Sequence, residues 1–346
     1  MSTLIPIDHF IICKDKHYNS FPNIVKRSDG TYYLGFRQAK NYIPKFGKAQ
    51  HTDPKSRAMY MTSADGLTWD STAQHILHDD FLYGVQDPCI TVLNDGSLLS
   101  TVFLWKIFDP DSGVTGRLVY DYWIAVADRS YAIRSIDGGV TWDEPTPLRA
   151  GALRGNCIQL ADGSILVANY TGGIRINKST DGGITWSEIA LIPNYNGYSL
   201  SEPNLYRTVS GKIVCFSRSS KGTANTDNPL VTIESLDGGM TWGTPVLSTT
   251  INNPNPYGLL RLNDGNILLT YGYRRKPYGI RARVLNAECT DIDTAKEVIL
   301  RDDAYGADIG YTSAVQLDDD RILVVYYFYD EVRGPRYIAG TVCKLV

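Results

Sequence analysis

The sequence predicts an all-β fold assembled from six repeated modules. Three observations carry that expectation: a recurring eight-residue segment, a second turn motif interleaved with it, and the lack of any sustained helical apolar period. The segment Ser135-Ile136-Asp137-Gly138-Gly139-Val140-Thr141-Trp142 returns as Ser179-Thr180-Asp181-Gly182-Gly183-Ile184-Thr185-Trp186 and as Ser235-Leu236-Asp237-Gly238-Gly239-Met240-Thr241-Trp242. A version one residue shorter runs from Ser63 to Trp69. Turns that precede an apolar strand fall at Asp29-Gly30, Asp95-Gly96, Asp162-Gly163, Ser210-Gly211 and Asp264-Gly265, with a sixth at Asp319-Asp320. Six such units divide the 346 residues into modules of about 58.

Within each module the apolar runs are short and rich in β-branched and aromatic residues, as in Ile165 to Tyr170 and Ile322 to Phe328, and Gly, Asp and Asn bound them. Modules of this size, each about four strands, are the signature of propeller blades around a central channel. The expected architecture is therefore a six-bladed β-propeller of four-stranded antiparallel blades, one domain over residues 1–346. Its ring closes where an N-terminal strand, Ile5 to Cys13, pairs with Tyr337 to Leu345. In the octapeptide the Asp side chain can accept backbone N–H bonds across a hairpin, the glycines supply positive φ, and the Trp ring covers the gap between strands. A catalytic group is not needed in four copies, so these residues read as turn staples.

Composition narrows the function. With 43% hydrophobic and 21% charged residues the chain can bury a large core, which excludes wholesale disorder. Lys and Arg total 34 against 37 Asp and Glu, net −3, and no basic block offers a phosphate-binding face, so nucleic acid is not an expected partner. Met1 to Cys13 lacks the pattern of a signal peptide, and no stretch reaches the roughly eighteen apolar residues of a membrane span, which leaves the cytoplasm as the default location. The six cysteines stand singly and all five histidines precede residue 80, so buried free thiols are expected, with no metal and no cofactor.

The repeated octapeptide resembles the Asp-box of the sialidase superfamily, whose members are six-bladed propellers, and the match is specific in the three full copies. Asp-boxes also occur in propellers that cleave other sugars, act as lyases or only bind glycans. Sialidases carry a glutamate followed sixteen residues later by an arginine. Ser201-Glu202-Pro203-Asn204 and Cys215-Phe216-Ser217-Arg218 reproduce that separation. The segment Ile309-Gly310-Tyr311-Thr312-Ser313 is similar to the setting of the family's nucleophilic Tyr. Tyr273-Arg274-Arg275 before Gly279-Ile280-Arg281 resembles a further arginine site, with Arg275 the closer match. Gly84-Val85-Gln86-Asp87-Pro88 is similar to a second-blade Asp-Pro. One departure stands out: Asn19-Ser20-Phe21-Pro22 has Ser20 where the first of three carboxylate-gripping arginines would stand, while Arg37 matches a neighbouring first-blade arginine.

The resemblance implies a retaining exo-glycosidase acting on a terminal sialic acid or related sugar of a glycan. Arg218, Arg275, Arg37 and Asp87 would bind substrate. A carboxylate nucleophile would be repelled by an anionic sugar, whereas a neutral phenol would not. A phenol with a pKa near 10 needs a base, the role assigned to Glu202 acting on Tyr311. Asp53, in His51-Thr52-Asp53-Pro54 on a long first-blade loop, is the natural proton donor, since no other carboxylate lies between Asp29 and Asp65. Two further readings stay open. One is a different propeller glycosidase or a lyase, with His17 or His51 and a Tyr as acid and base; the other is a glycan-binding propeller with no chemistry. Tyr120, Tyr122 and Trp123 could stack on a sugar ring or pack as core.

Overall fold

A computed structural model describes residues 3–222, 228–252 and 256–346. Among these residues helix is confined to short turns at Ile43–Phe46 and Pro110–Ser112, and the strands form six separate sheets. From the hub outward, blade one comprises Tyr18–Lys26, Tyr32–Ala39, Arg57–Ser63 and His75–His78. Blade two comprises Gly84–Val92, Leu98–Phe108, Trp123–Ser135 and Thr146–Ala150, with Arg117–Val119 added beside the third strand. The inner strand of blade three is split into Ala152–Leu153 and Ile158–Gln159, followed by Ile165–Tyr170, Ile174–Ser179 and Ser187–Ile192. Blade four runs Ser199–Arg207, Ile213–Ser220, Pro229–Ser235 and Val246–Asn252, and blade five Gly258–Arg261, Ile267–Tyr273, Gly279–Leu285 and Glu297–Arg301. Blade six takes Gly310–Gln316, Ile322–Phe328 and Tyr337–Leu345 from the end of the chain and Leu4–Cys13 from its start. Leu4 lies opposite Leu345 and Cys13 opposite Ile338, so the ring is closed by main-chain hydrogen bonds.

Each sheet is covered on both faces by its neighbours, which is why the central strands are continuous apolar runs and not alternating ones; every residue of Ile322–Phe328 is buried. The core sits between blades: Tyr18, Leu34 and Met61 of blade one pack on Val315, Leu323 and Ile338 of blade six. All six cysteines are buried free thiols.

Antiparallel order puts the turns after first and third strands at one end of the ring. At that end the octapeptides work as staples. In blade two, Asp137 Oδ1 accepts from the N–H groups of Val140 and Thr141 and from the Ser135 hydroxyl, and Asp137 Oδ2 takes the Thr141 hydroxyl at 2.6 Å. The bonds to Thr and Ser hold the Asp65, Asp137, Asp181 and Asp237 carboxyls down at about 2. The Trp186 and Trp242 indoles donate back to Gly183 and Gly239, both at 3.0 Å. The opposite end collects the heads of the inner strands and the ends of the second strands, where the sequence-derived site residues fall.

Candidate functional site

Four inner strands begin with the same irregularity. Phe21, Asp87, Glu202 and Tyr311 have φ of 55, 49, 47 and 51°, the left-handed region that non-glycine residues avoid. At each the register slips, between Ser20 and Asn23, Gln86 and Cys89, Ser201 and Asn204, and Gly310 and Ser313. An L-residue there costs about 1–3 kcal/mol and persists only where surrounding structure enforces it. A bulge re-aims the side chain. Here four inner strands turn one side chain each toward the hub.

Two of them meet. The Tyr311 hydroxyl donates to Glu202 Oε1, and Arg218 Nη1 donates to Glu202 Oε2. The sixteen-residue separation is a hairpin in space, because Ser201 pairs directly with Arg218 across the sheet. Burial pushes the Glu202 carboxyl up, but the Arg218 charge and the Tyr311 bond outweigh it and hold the group below its ordinary value. Burial, with the Glu202 charge behind it, drives the Tyr311 phenol well above 10. The resting pair is therefore a neutral phenol hydrogen-bonded to an ionised carboxylate. Tyr311 is 5% and Glu202 8% exposed, while the Arg218 side chain is 29% exposed, so the pair forms a floor with the arginine rising beside it.

The remaining sequence-derived residues are distributed differently. Asp87 is buried at this floor; burial first, then the nearby Glu202 charge, raises its carboxyl to about 7 against the pull of Arg154 and Arg37. Arg275 is exposed. Its neighbour Arg274 is the one turned inward, donating at 3.2 Å to the Ile309 carbonyl and to the Tyr327 hydroxyl, with its guanidinium 5.9 Å from the Tyr311 ring. Both lie beyond the strand, which stops at Tyr273, so it is the bonds to Ile309 and Tyr327 that separate the two. Arg37 is fully buried beneath the loop, where Nη2 donates to the His51 carbonyl at 2.6 Å.

Asp53 is likewise fully buried, and both its oxygens are committed to the loop itself. Oδ2 accepts from the Lys40 N–H at 2.6 Å, and Oδ1 accepts from the Tyr42 hydroxyl and the Lys55 N–H. Its carbonyl abuts Gly84, where a Cβ would approach to 1.9 Å. The structure thus gives Asp53 the place of a loop clamp against blade two. Tyr42 also packs against Tyr120 and Trp123, and Phe46 stacks on Tyr120 at 4.2 Å, so those aromatics join two loops; Tyr122 remains exposed. His17, just before the strand Tyr18–Lys26, pairs with Asp15 at 3.1 Å.

Ser20 is buried, and the first-blade head presents Phe21, whose ring lies 4.4 Å from that of Tyr311. Three groups carried no sequence signal. Arg154, from the split inner strand of blade three, donates to the Tyr311 and Pro22 carbonyls at 3.3 Å. Tyr170 stands half-buried within the field of Glu202 and Asp87. Asp308, three residues before Tyr311, accepts from Tyr18, Tyr327, Arg336 and His51. Burial raises the Asp308 carboxyl, yet His51 and the arginines bring it far below the usual range. Among the described residues no cluster of His, Cys, Asp and Glu could hold a metal ion.

The BNR repeat-like domain family matches residues 117–324, more than half of the chain. The chain belongs to that family. A protein of unknown function from Dyadobacter fermentans superposes on this BNR-repeat chain with a TM-score of 0.90 at 32% identity, covering 99% of both chains. The NanB sialidase of Streptococcus pneumoniae superposes with a TM-score of 0.67 at 14% identity over 99% of this chain and 70% of that one, which shows a shared fold. In sequence, a xyloglucanase of Acetivibrio thermocellus is 30% identical over 232 residues, 61% of this chain and 25% of that protein. The BNR-repeat chain thus spans a quarter of that relative's length.

Proposed function

We propose that the chain is a retaining glycoside hydrolase that releases a terminal acidic sugar of the sialic acid type from a glycan, with Tyr311 as nucleophile and Glu202 as its base. The observation that carries this reading is the hydrogen bond from the Tyr311 hydroxyl to a Glu202 carboxylate kept ionised by Arg218. A neutral phenol needs such a partner to become nucleophilic, and Tyr nucleophiles are the known exception to the two-carboxylate scheme. An anionic sugar would meet Arg218 and Arg274, both half-buried at the rim. Asp87, neutral below about 7, would donate a hydrogen bond to a sugar hydroxyl. Relatives named as sialidases and a xyloglucanase support a glycosidic substrate.

The test is turnover of a 4-methylumbelliferyl sialoside, with the anomer of the first product read by proton NMR. Retention of configuration, abolished in Tyr311→Phe, is the expected result. Release of an unsaturated uronate absorbing in the ultraviolet would replace the hydrolase with a lyase, and glycan binding without turnover would reduce the site to recognition.

A further inference from the structure

The proposed reaction needs a group that protonates the leaving oxygen and then deprotonates water. Asp53, the carboxylate that the first-blade loop offers in sequence, has both oxygens bound within the loop. Asp87 is buried at the floor among Glu202, Arg154 and Arg37, whereas the leaving group of an exo-acting enzyme points outward. His51, two residues before Asp53 on the same loop, instead has its side chain against Asp308 and the Phe21 ring.

Resting on the glycosidase reading, we propose that His51 is the general acid and base of the reaction and that Asp308 is its positioning partner. Four observations support it. The His51 side chain is 26% exposed, and its Nε2 lies 3.0 Å from Asp308 Oδ1. Asp308, ionised and acceptor-only, requires the proton on Nε2, so Nδ1 is the working nitrogen. Among the described residues none hydrogen-bonds to Nδ1, while Tyr18, Tyr327 and Arg336 fix the Asp308 carboxylate. His51 and Tyr311 flank the same ring, Phe21, with centroid distances of 5.3 and 4.4 Å, so acid and nucleophile stand one aromatic ring apart. Arg37 pins the His51 backbone from below. This is the nucleophile, base and orienter logic extended to a second proton carrier.

The steps balance. In the first, the Tyr311 oxygen attacks the anomeric carbon and its proton passes to Glu202. The glycosidic C–O bond breaks with its electron pair on the leaving oxygen, which takes the Nδ1 proton of cationic His51. In the second, neutral His51 takes a proton from water as the water oxygen attacks the anomeric carbon. The Tyr311–sugar bond breaks with its pair on the phenolate, which recovers the proton from Glu202. Burial, Arg274 and Arg37 hold the imidazole below its ordinary 6.5 against Asp308, so the donor form exists on the acid side of neutrality.

Leaving-group dependence tests the assignment. His51→Gln is expected to lose at least about 100-fold in kcat/KM on an alkyl sialoside and only a fewfold on a 2,4-dinitrophenyl sialoside, whose departure needs no acid. Sodium azide is expected to restore turnover of the dinitrophenyl substrate as the glycosyl azide. The wild-type kcat/KM for the alkyl substrate falls as pH rises through a value below 6.5, and Asp308→Asn shows the same selectivity more weakly. Circular dichroism confirms folding, and Asp308→Asn carries the test if His51→Gln is unstable. Equal losses on both substrates for both variants overturn the proposal, as does leaving-group selectivity in Asp87→Asn or Asp53→Asn in their place, with the hydrolase reading intact. A wild-type protein inert on every glycoside overturns both.

Discussion

The two ends of the ring are built from the same strands and do opposite things. At one end the turns repeat, and each Asp satisfies its own hairpin: Asp137, Asp181 and Asp237 make the same bonds to the same Thr and Ser positions. At the other end the inner-strand heads share a backbone distortion but carry four different side chains, Phe21, Asp87, Glu202 and Tyr311. Sameness at one end marks a structural device, and variety on a common scaffold at the other is where the proposed chemistry would sit.

Mutation should divide the ends along that line. The largest effect is expected from Tyr311→Phe, at least about 1,000-fold in kcat with the melting temperature nearly unchanged, read with a fluorogenic sialoside. Glu202→Gln follows, with a loss of about 100-fold or more in kcat. It also leaves Arg218 without its anion, so stability should fall by about 3 kcal/mol in urea titration. If Glu202→Gln destabilises without affecting turnover, the strand-head end is structural too and the contrast fails.

Acid and base should act on the two ends with opposite sign. Asp87 is raised from 3.8 to about 7, so its neutral form stabilises the fold fully below 3.8 and that stabilisation is lost as pH rises through 7, by roughly 4 kcal/mol in all. The Asp-box carboxyls are lowered from 3.8 to about 2, so what they contribute is present above 3.8 and lost as pH falls through 2. Urea titrations from pH 4 to 8 should show the first slope in the wild type and its disappearance in Asp87→Asn. The smallest effect is expected from Asp137→Ala: a few degrees in melting temperature by calorimetry, with kcat/KM unchanged.

Much of this was legible in sequence because repeats and spacings encode local geometry. Four Asp-box turns and six Gly- or Asp-ended turns fix the blade count, and a sixteen-residue separation across one hairpin aligns Glu202 with Arg218. The same logic fails where a side chain's direction depends on packing from elsewhere. Arg274 and Arg275 are adjacent, and only bonds to Ile309 and Tyr327 beside the neighbouring blade hold the first inward. Asp53 and His51 share a loop, and contacts with Tyr42 and Gly84 commit the Asp to the scaffold while Asp308, more than 250 residues away, holds the His.

The sequence alone determined the turn staples and the number of blades, because both follow from hydrogen bonding between neighbours along the chain or across one hairpin. The closing pair of terminal strands followed from the repeat count, and the alignment of residues 202 and 218 from the family resemblance. Only the tertiary structure decided that Arg274 and not Arg275 turns inward, that Phe21 lies against the phenol beside a buried Ser20, and that Asp53 is bound to its own loop. Those outcomes depend on how six separately formed sheets converge on one axis, and no local pattern in the chain encodes that convergence.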